Sequence, residues 1–134
     1  MASHQRINPS SLFDSSALAY SQISVASGKS IVHIAGQASI NANLEIIGEG
    51  DFATQTVQVF RNLGLALVAA DVTPQDVLSV KIYVVGLQNE YIPILKDALL
   101  SFFGADTLPP GTLLGIAALA MPGLLLEVEA VATK

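Results

Sequence analysis

Residues 107–126 contain no charged side chain, and this run of twenty residues constrains the fold more than any other part of the sequence. Its length matches that of a membrane-spanning helix. Prolines and glycines interrupt it, however, at Pro109, Pro110, Gly111, Gly115, Pro122 and Gly123. Because these residues break helices and mark turns, we expect two buried strands joined by a turn at residues 121–123, and no membrane span.

Hydrophobic periodicity predicts strands in the rest of the chain. The expected strands are residues 22–26, 30–36, 78–85, 112–118 and 124–132. The first two flank Ser27, Gly28 and Lys29, which is the pattern of a hairpin. Residues 41–50 are expected to form a loop or a short additional strand.

Two helices are predicted between the strands. Asp51 can cap the first, which extends to Ala70. Asn89 can cap the second, which tolerates Pro93 in its first turn and ends at Gly104. Thr73 and Pro74 begin a very short helical turn. The expected inner stripes are Val57, Phe60, Leu63 with Gly64, and Leu67 in the first helix, and Ile92, Leu95, Leu99 and Phe102 or Phe103 in the second.

The order of these elements predicts one α+β domain over residues 1–134, with two helices on one face of a single mixed sheet. Only 13% of the residues are charged, compared with about 25% in an average soluble domain. The sheet face without helices is therefore the expected place for subunits to meet in an obligate oligomer.

The charged residues and histidines exclude several classes of function. The net charge is -5 and the six basic residues are scattered, which argues against binding nucleic acid. There is no cysteine, and His4 and His33 have no second ligand at suitable spacing, so no metal site or cofactor is expected. Residues 1–11 are polar and lack a hydrophobic signal core, which indicates a cytoplasmic protein.

Short motifs spread over nearly the whole chain resemble those of the Rid family, also called YjgF or L-PSP proteins. The matching residues are Tyr20-Ser21-Gln22, Ala35-Gly36-Gln37, Gln55, Asn62-Leu63, Lys81, Pro110 and Glu127-Val128-Glu129-Ala130. The resemblance implies a chorismate-mutase-like fold of the Bacillus type and a homotrimer with three pockets at the subunit interfaces. It also implies hydrolysis of reactive enamines and imines, such as 2-aminoacrylate, to ketoacid and ammonia.

The resemblance assigns roles to individual residues. Glu127 matches the glutamate that positions the attacking water, with Tyr20 as its catalytic partner and with Gly36 and Gln37 lining the pocket. Glu127 and Glu129 also share one face of a strand at about 6.6 Å spacing. A carboxyl group between apolar walls and a second acid keeps its proton more readily and can donate it to a substrate. The alternative for Glu127 is a structural charge at a subunit seam, bonded to backbone or to Lys81. Glu129 can simply face solvent or a neighbouring chain, and Tyr20 can be only a packed ring with a satisfied hydroxyl.

One position departs from the family pattern. Deaminating members carry an arginine after the proline that grips the substrate carboxylate, and here that residue is Gly111, followed by Thr112. Loss of such a charged pair removes about 1.5–3 kcal/mol of binding. Lys96 can supply a replacement charge, although a solvated helix residue is the alternative. The second hypothesis is accordingly a non-catalytic protein that binds a small ligand or regulates a partner enzyme, and endoribonuclease activity ranks last.

Overall fold

A computed structural model describes residues 4–134 of the chain. The strands are β1 (Gln5–Ile7), β2 (Ile23–Val25), β3 (Ile31–Ala38), β4 (Val77–Val85), β5 (Gly111–Ile116) and β6 (Leu126–Thr133), and the helices are α1 (Phe52–Ala69) and α2 (Tyr91–Phe103). Two short 3-10 turns, Ser15–Leu18 and Pro74–Asp76, precede β2 and β4.

Four strands form the main sheet in the order β3-β6-β4-β5. The β4–β5 pair is parallel and the other two pairs are antiparallel. Along β6 the buried side chains Leu126, Val128, Ala130 and Ala132 alternate with half-buried ones, and the last residue, Thr133, is also buried. Both helices pack on the face where these buried residues lie. The α+β class, the mixed sheet and the single helical layer are therefore as the sequence predicted.

The boundaries of the two long helices differ slightly from the prediction. Asp51 caps α1, with the Thr54 backbone N–H donating to its Oδ1 at 3.1 Å. Gly104 ends α2 at φ 83°. The prediction that Asn89 caps α2 is wrong, since Glu90 holds the N-cap position and makes no side-chain cap bond. Val57 is also wrongly placed in the inner stripe: it is 72% exposed, and Val59 is buried in its place.

Buried amide side chains tie α1 to the loops around it. The Gln55 amide donates to the carbonyls of Gly48 and Gly123 and accepts from the N–H of Leu125. Asn62 donates to the carbonyls of Ala38 and Ile40, both at 2.9 Å. These bonds join α1 to the end of β3 and to the loops before α1 and before β6, so both residues have a structural role.

The predicted N-terminal hairpin is wrong. β2 pairs antiparallel with β1, and β3 pairs with β6. The segment before β2 docks beside β5: the Ser21 N–H donates to Pro109 O at 3.0 Å, and its hydroxyl donates to Leu108 O. The Ser24 hydroxyl donates to Leu78 O at the start of β4. These long-range bonds are invisible to a local turn signal.

The uncovered face of the main sheet is more polar than expected at its centre. Lys81 and Tyr83 of β4 and Glu127 and Glu129 of β6 all belong to the set that alternates with the buried residues. Cross-strand pairing puts Lys81 opposite Glu129 and Tyr83 opposite Glu127. This face therefore carries ionisable side chains as well as a surface where subunits can meet.

Candidate functional site

A cleft of about 460 Å³ lies between α2 and the edge strand β5. Its floor consists of buried aliphatic side chains, namely Val80, Ile82, Leu95 and Leu99. Its rim carries three aliphatic side chains that are more than a third exposed, namely Leu18, Ile92 and Leu113. Ala19, Tyr20, Lys96, Gly111 and Thr112 complete the lining, so four residues predicted for the site, all of these except Ala19, lie together here.

Gly111 begins β5 at the point where the cleft meets Tyr20. A Cβ atom built there would lie 3.2 Å from Val80 Cγ2 and 3.7 Å from Tyr20 Cβ. The neighbouring backbone is held firmly, because the Val80 N–H donates to Pro110 O at 2.9 Å. A second, more polar cleft of about 330 Å³ shares Tyr20, Gly111 and Thr112 with the first. Gly111 thus lines both clefts, and a side chain at this position would contact Val80 and Tyr20.

The turn before β2 positions Tyr20. The buried Ser15 hydroxyl donates to Tyr20 O at 2.7 Å, and the Tyr20 N–H donates to Ser15 O at 3.2 Å. Ala19 takes the left-handed conformation at φ 64° and is 1% exposed. The Tyr20 ring meets Phe13 edge-on, with the ring centroids 6.3 Å apart. The backbone of this segment is therefore fixed while the ring lines the cleft.

Lys96 is the one charged side chain that lines the apolar cleft. It lies on α2 one turn after Ile92, which also lines the cleft, and its side chain is exposed. Within residues 4–134 the ion pair found joins Lys134 to Asp71, and Lys96 takes part in none. Its charge is therefore available to a ligand.

A second group of predicted residues lies at the junction of β3 and β6. Ile34 pairs with Ala130 and Gln37 with Val128, so Ala35 and Gly36 together oppose the single residue Glu129. This is a β-bulge, a feature common beside functional sites. A Cβ at Gly36 would overlap the Glu127 carboxylate and lie 2.8 Å from its Cγ. The bulge and the missing side chain together let the Glu127 carboxylate lie directly over the β3 backbone.

The Glu127 carboxylate accepts no hydrogen bond and forms no ion pair within residues 4–134. Lys81, the partner proposed for a structural role, lies opposite Glu129 in the strand register, and no ion pair joins it to Glu127 within residues 4–134. Gln37 turns back on its own strand, where its amide donates to Ala35 O at 3.0 Å. The carboxylate of Glu127 is thus the unengaged polar group of this cluster.

Glu129 has a partner of its own on the open face. The Tyr83 hydroxyl donates to Glu129 Oε1. This bond, followed by burial and by the negative charges of Glu129 and Glu127, raises the pKa of Tyr83 above its ordinary value. Tyr83 is not among the residues that the sequence predicts for the site, although its place on the polar side of an alternating strand beside two acids was the available signal.

The two groups of site residues are separate within one chain. Glu127 and Gly36 lie on the open face at β6 and β3, whereas the cleft lies beside α2 at β5. β4 separates β6 from β5, which is a distance of two strand spacings, about 10 Å. Neither cleft is lined by Gly36, Gln37 or Glu127. The structure therefore does not bring the two groups together in one pocket of a single chain.

Comparison with known proteins identifies the class. The sequence model described as Endoribonuclease L-PSP matches residues 13–134. The chain therefore belongs to this family, the Rid or YjgF family. No curated relative matches the chain. No helix among residues 4–134 has the length and hydrophobicity needed to cross a membrane.

Solved structures of Rid proteins resemble the chain over nearly its full length. YyfB from Yersinia pestis, a Rid-family protein of unknown function, is 33% identical, with 98% of this chain and 99% of YyfB covered and a TM-score of 0.91. Rv2704 from Mycobacterium tuberculosis is 28% identical, with 98% and 100% covered and a TM-score of 0.64. RidA from an Antarctic Psychrobacter is 24% identical, with 86% and 88% covered and a TM-score of 0.69, and shows the shared fold.

Proposed function

We propose that this Rid-family chain is a cytoplasmic hydrolytic deaminase of reactive imines and enamines. The observation that carries the proposal is the Glu127 carboxylate, which lies unpaired over Gly36 at a β-bulge. An unengaged carboxylate on a fixed strand can hold a water molecule and exchange protons with it. Membership of the Rid family adds support, because the resemblance assigns Glu127 to that task.

The proposed reaction begins with protonation of an enamine at carbon, which gives the imine. Glu127 then directs water to the imine carbon and takes one of its protons. The resulting carbinolamine receives a proton on nitrogen, and the C–N bond breaks as the C=O bond forms. Counted for the protonated imine, R–C(=NH2+)–COO- and H2O give R–CO–COO- and NH4+, so no redox partner or cofactor is needed.

A homotrimer with pockets between subunits would unite the two groups of residues. One protomer would supply Glu127 with Gly36 and Gln37, and its neighbour would supply Tyr20, Lys96, Gly111 and Thr112. The separation of the two groups in one chain supports this arrangement. The polar centre of the open sheet face, with Glu127 and Glu129, is consistent with a site that opens toward a neighbouring subunit.

The test is ammonia release from 2-aminoacrylate and from simple imines generated in the assay by a second enzyme. We expect the protein to accelerate release, and Glu127→Gln to lower the acceleration by about 10²-fold or more. Glu45→Gln, in an exposed loop, is the matched control and should retain full activity. Equal rates with and without the protein would refute the proposed activity.

The alternative function is that of a non-catalytic protein that binds a small ligand or a partner enzyme, and Gly111 favours it. The cleft lacks the forked cation that deaminating members use for the substrate carboxylate. A Gly111→Arg variant distinguishes the two functions, because the required shift of Val80 is only a few tenths of an ångström. Deaminase activity in the variant alone would favour the binding function. Endoribonuclease activity, which the family description names, fits poorly with a net charge of -5.

A further inference from the structure

The composition of the cleft beside α2 carries information about the ligand. Its volume of about 460 Å³ lies within the range of roughly 300–1,000 Å³ that is typical of pockets for drug-sized molecules. A three-carbon substrate would leave most of this space unfilled. In one chain the rim residues Leu18, Ile92 and Leu113 are more than a third exposed, so they offer further apolar surface to a larger ligand.

The cleft offers two kinds of contact to a ligand. Its floor is aliphatic and buried, so it favours an apolar group that loses its contact with water. Its polar residues are Tyr20, Thr112 and Lys96, and no carboxylate belongs to the lining. The single positive charge therefore favours an anionic group at one end of an otherwise apolar ligand.

We infer that the preferred substrates are 2-imino acids with bulky apolar side chains, either branched aliphatic or aromatic, whose carboxylate is held by Lys96. The assignment of the ligand as an imine rests on the proposed function. The assignments of its carboxylate and of its apolar side chain rest on the lining of the cleft alone. Gly111 has a specificity role, because it leaves the apolar floor open where a larger residue would close it. Lys96 acts as a point charge and not as a fork, so affinity depends chiefly on the apolar group.

The test is calorimetric binding of the stable 2-oxo acid products to the Glu127→Gln protein, which needs no turnover. The series is pyruvate, 2-oxobutanoate, 4-methyl-2-oxopentanoate and phenylpyruvate. We expect affinity to rise by about fourfold for each buried methylene. Lys96→Gln should weaken every member by about three- to tenfold and remove the salt dependence of binding. Lys29→Gln, an exposed loop variant, is the charge-matched control.

A second variant separates specificity from folding. Ile92→Ala should flatten the dependence on side-chain size while the affinity for pyruvate stays the same, because only the larger ligands reach the rim. A flat series in the parent protein, tightest binding of pyruvate, or binding insensitive to Lys96→Gln would each overturn the inference. Equal binding of 4-methylpentanoate and its 2-oxo derivative would also overturn the assignment to imino acids.

The outcomes keep this inference apart from the proposed function. If affinity for the 2-oxo acids rises with side-chain size and depends on Lys96, but the parent protein turns over no imine, the deaminase activity is refuted and the ligand class is supported. If the protein turns over imines with no preference for bulky side chains, the deaminase activity is supported and the proposed ligand class is refuted.

Discussion

At Gly36 the absence of a side chain decides where the Glu127 carboxylate can lie. A Cβ atom at this position would overlap the carboxylate, while the backbone of this glycine has no left-handed φ that only glycine tolerates. The requirement for glycine is therefore one of space. The Glu127 side chain is flexible and can swing away, so a methyl group should displace the acid and leave the fold unchanged.

We predict that Gly36→Ala lowers imine hydrolysis by roughly 10- to 100-fold, because misplacement of a catalytic group by about 1 Å can cost that much. Its free energy of unfolding should change by less than about 1 kcal/mol. Steady-state rates and urea unfolding measure the two effects. The matched control is Gly64→Ala, where the added Cβ would be 3.6 Å from Phe102, an ordinary contact. Equal loss of activity in both variants would show that Gly36 has no special relation to Glu127.

Tyr83 and Glu129 form a hydrogen-bonded pair whose contribution to the stability of the fold decreases at alkaline pH. The pKa of Tyr83 is raised in the folded state, so folding favours its protonated form. Stability from this shift is fully present below the unfolded pKa of about 10 and is lost as pH rises through the folded value. We predict that Tyr83→Phe reduces the fall in unfolding free energy between about pH 9 and pH 11.

The pairwise origin of this effect can be tested with a double-mutant cycle. Tyr83→Phe, Glu129→Gln and the double variant should give a coupling energy that differs from zero. Urea unfolding across the alkaline range provides the measurement. Additive effects of the two substitutions would mean that the bond between Tyr83 and Glu129 is not the source of the raised pKa.

At the scale of elements, the sequence predicts side-chain faces better than strand partners. Alternation identifies β4 and β6 and their buried sides, because burial repeats every two residues along a strand. It gives the wrong partner for β2, since the bonds that hold the preceding segment come from Leu108 and Pro109, far along the chain. β1 lies in a polar lead-in, was not predicted, and pairs with β2 over only three residues.

Gln55 links α1 to the two loops at its N-terminal end and is fully buried. We predict that Gln55→Met lowers the free energy of unfolding by about 2–4 kcal/mol, because it leaves the Gly123 carbonyl and the Leu125 N–H without these partners and removes one of the two bonds at Gly48 O. Gln58→Met is the control on the same helix: it loses one half-buried bond to Asn62 and should cost less than about 1 kcal/mol. Urea unfolding at one fixed protein concentration compares them, and equal losses would contradict the structural role of Gln55.

For the whole molecule, the sequence predicts the residues of a candidate site but not their division into two groups. Resemblance to the Rid family selects Tyr20, Gly36 and Glu127 without regard to their distance in one chain. The sheet order separates β5 from β6 by β4, and that order depends on strand pairing that no local pattern specifies. The apolar rim of the cleft is missed for a related reason: helical periodicity assigns Ile92 to the inner stripe of α2, yet it is 37% exposed.

A trimer with sites between protomers makes a prediction that a monomer cannot satisfy. The assembly should have three times the chain mass of 14.0 kDa, or about 42 kDa, by light scattering. Glu127→Gln should lower activity by about 10²-fold or more through loss of the acid, and Gly111→Trp should abolish it by filling the cleft. When equal amounts are unfolded together and refolded, about a quarter of the sites should combine an intact acid from one protomer with an intact cleft from its neighbour. Recovery of activity near that fraction would support sites shared between chains.

The control mixture of Glu127→Gln with Gly36→Ala places both changes in the same half of the site, so it should recover nothing beyond the residual activity of Gly36→Ala. A trimer whose first mixture also remained inactive would mean that each site lies within one chain.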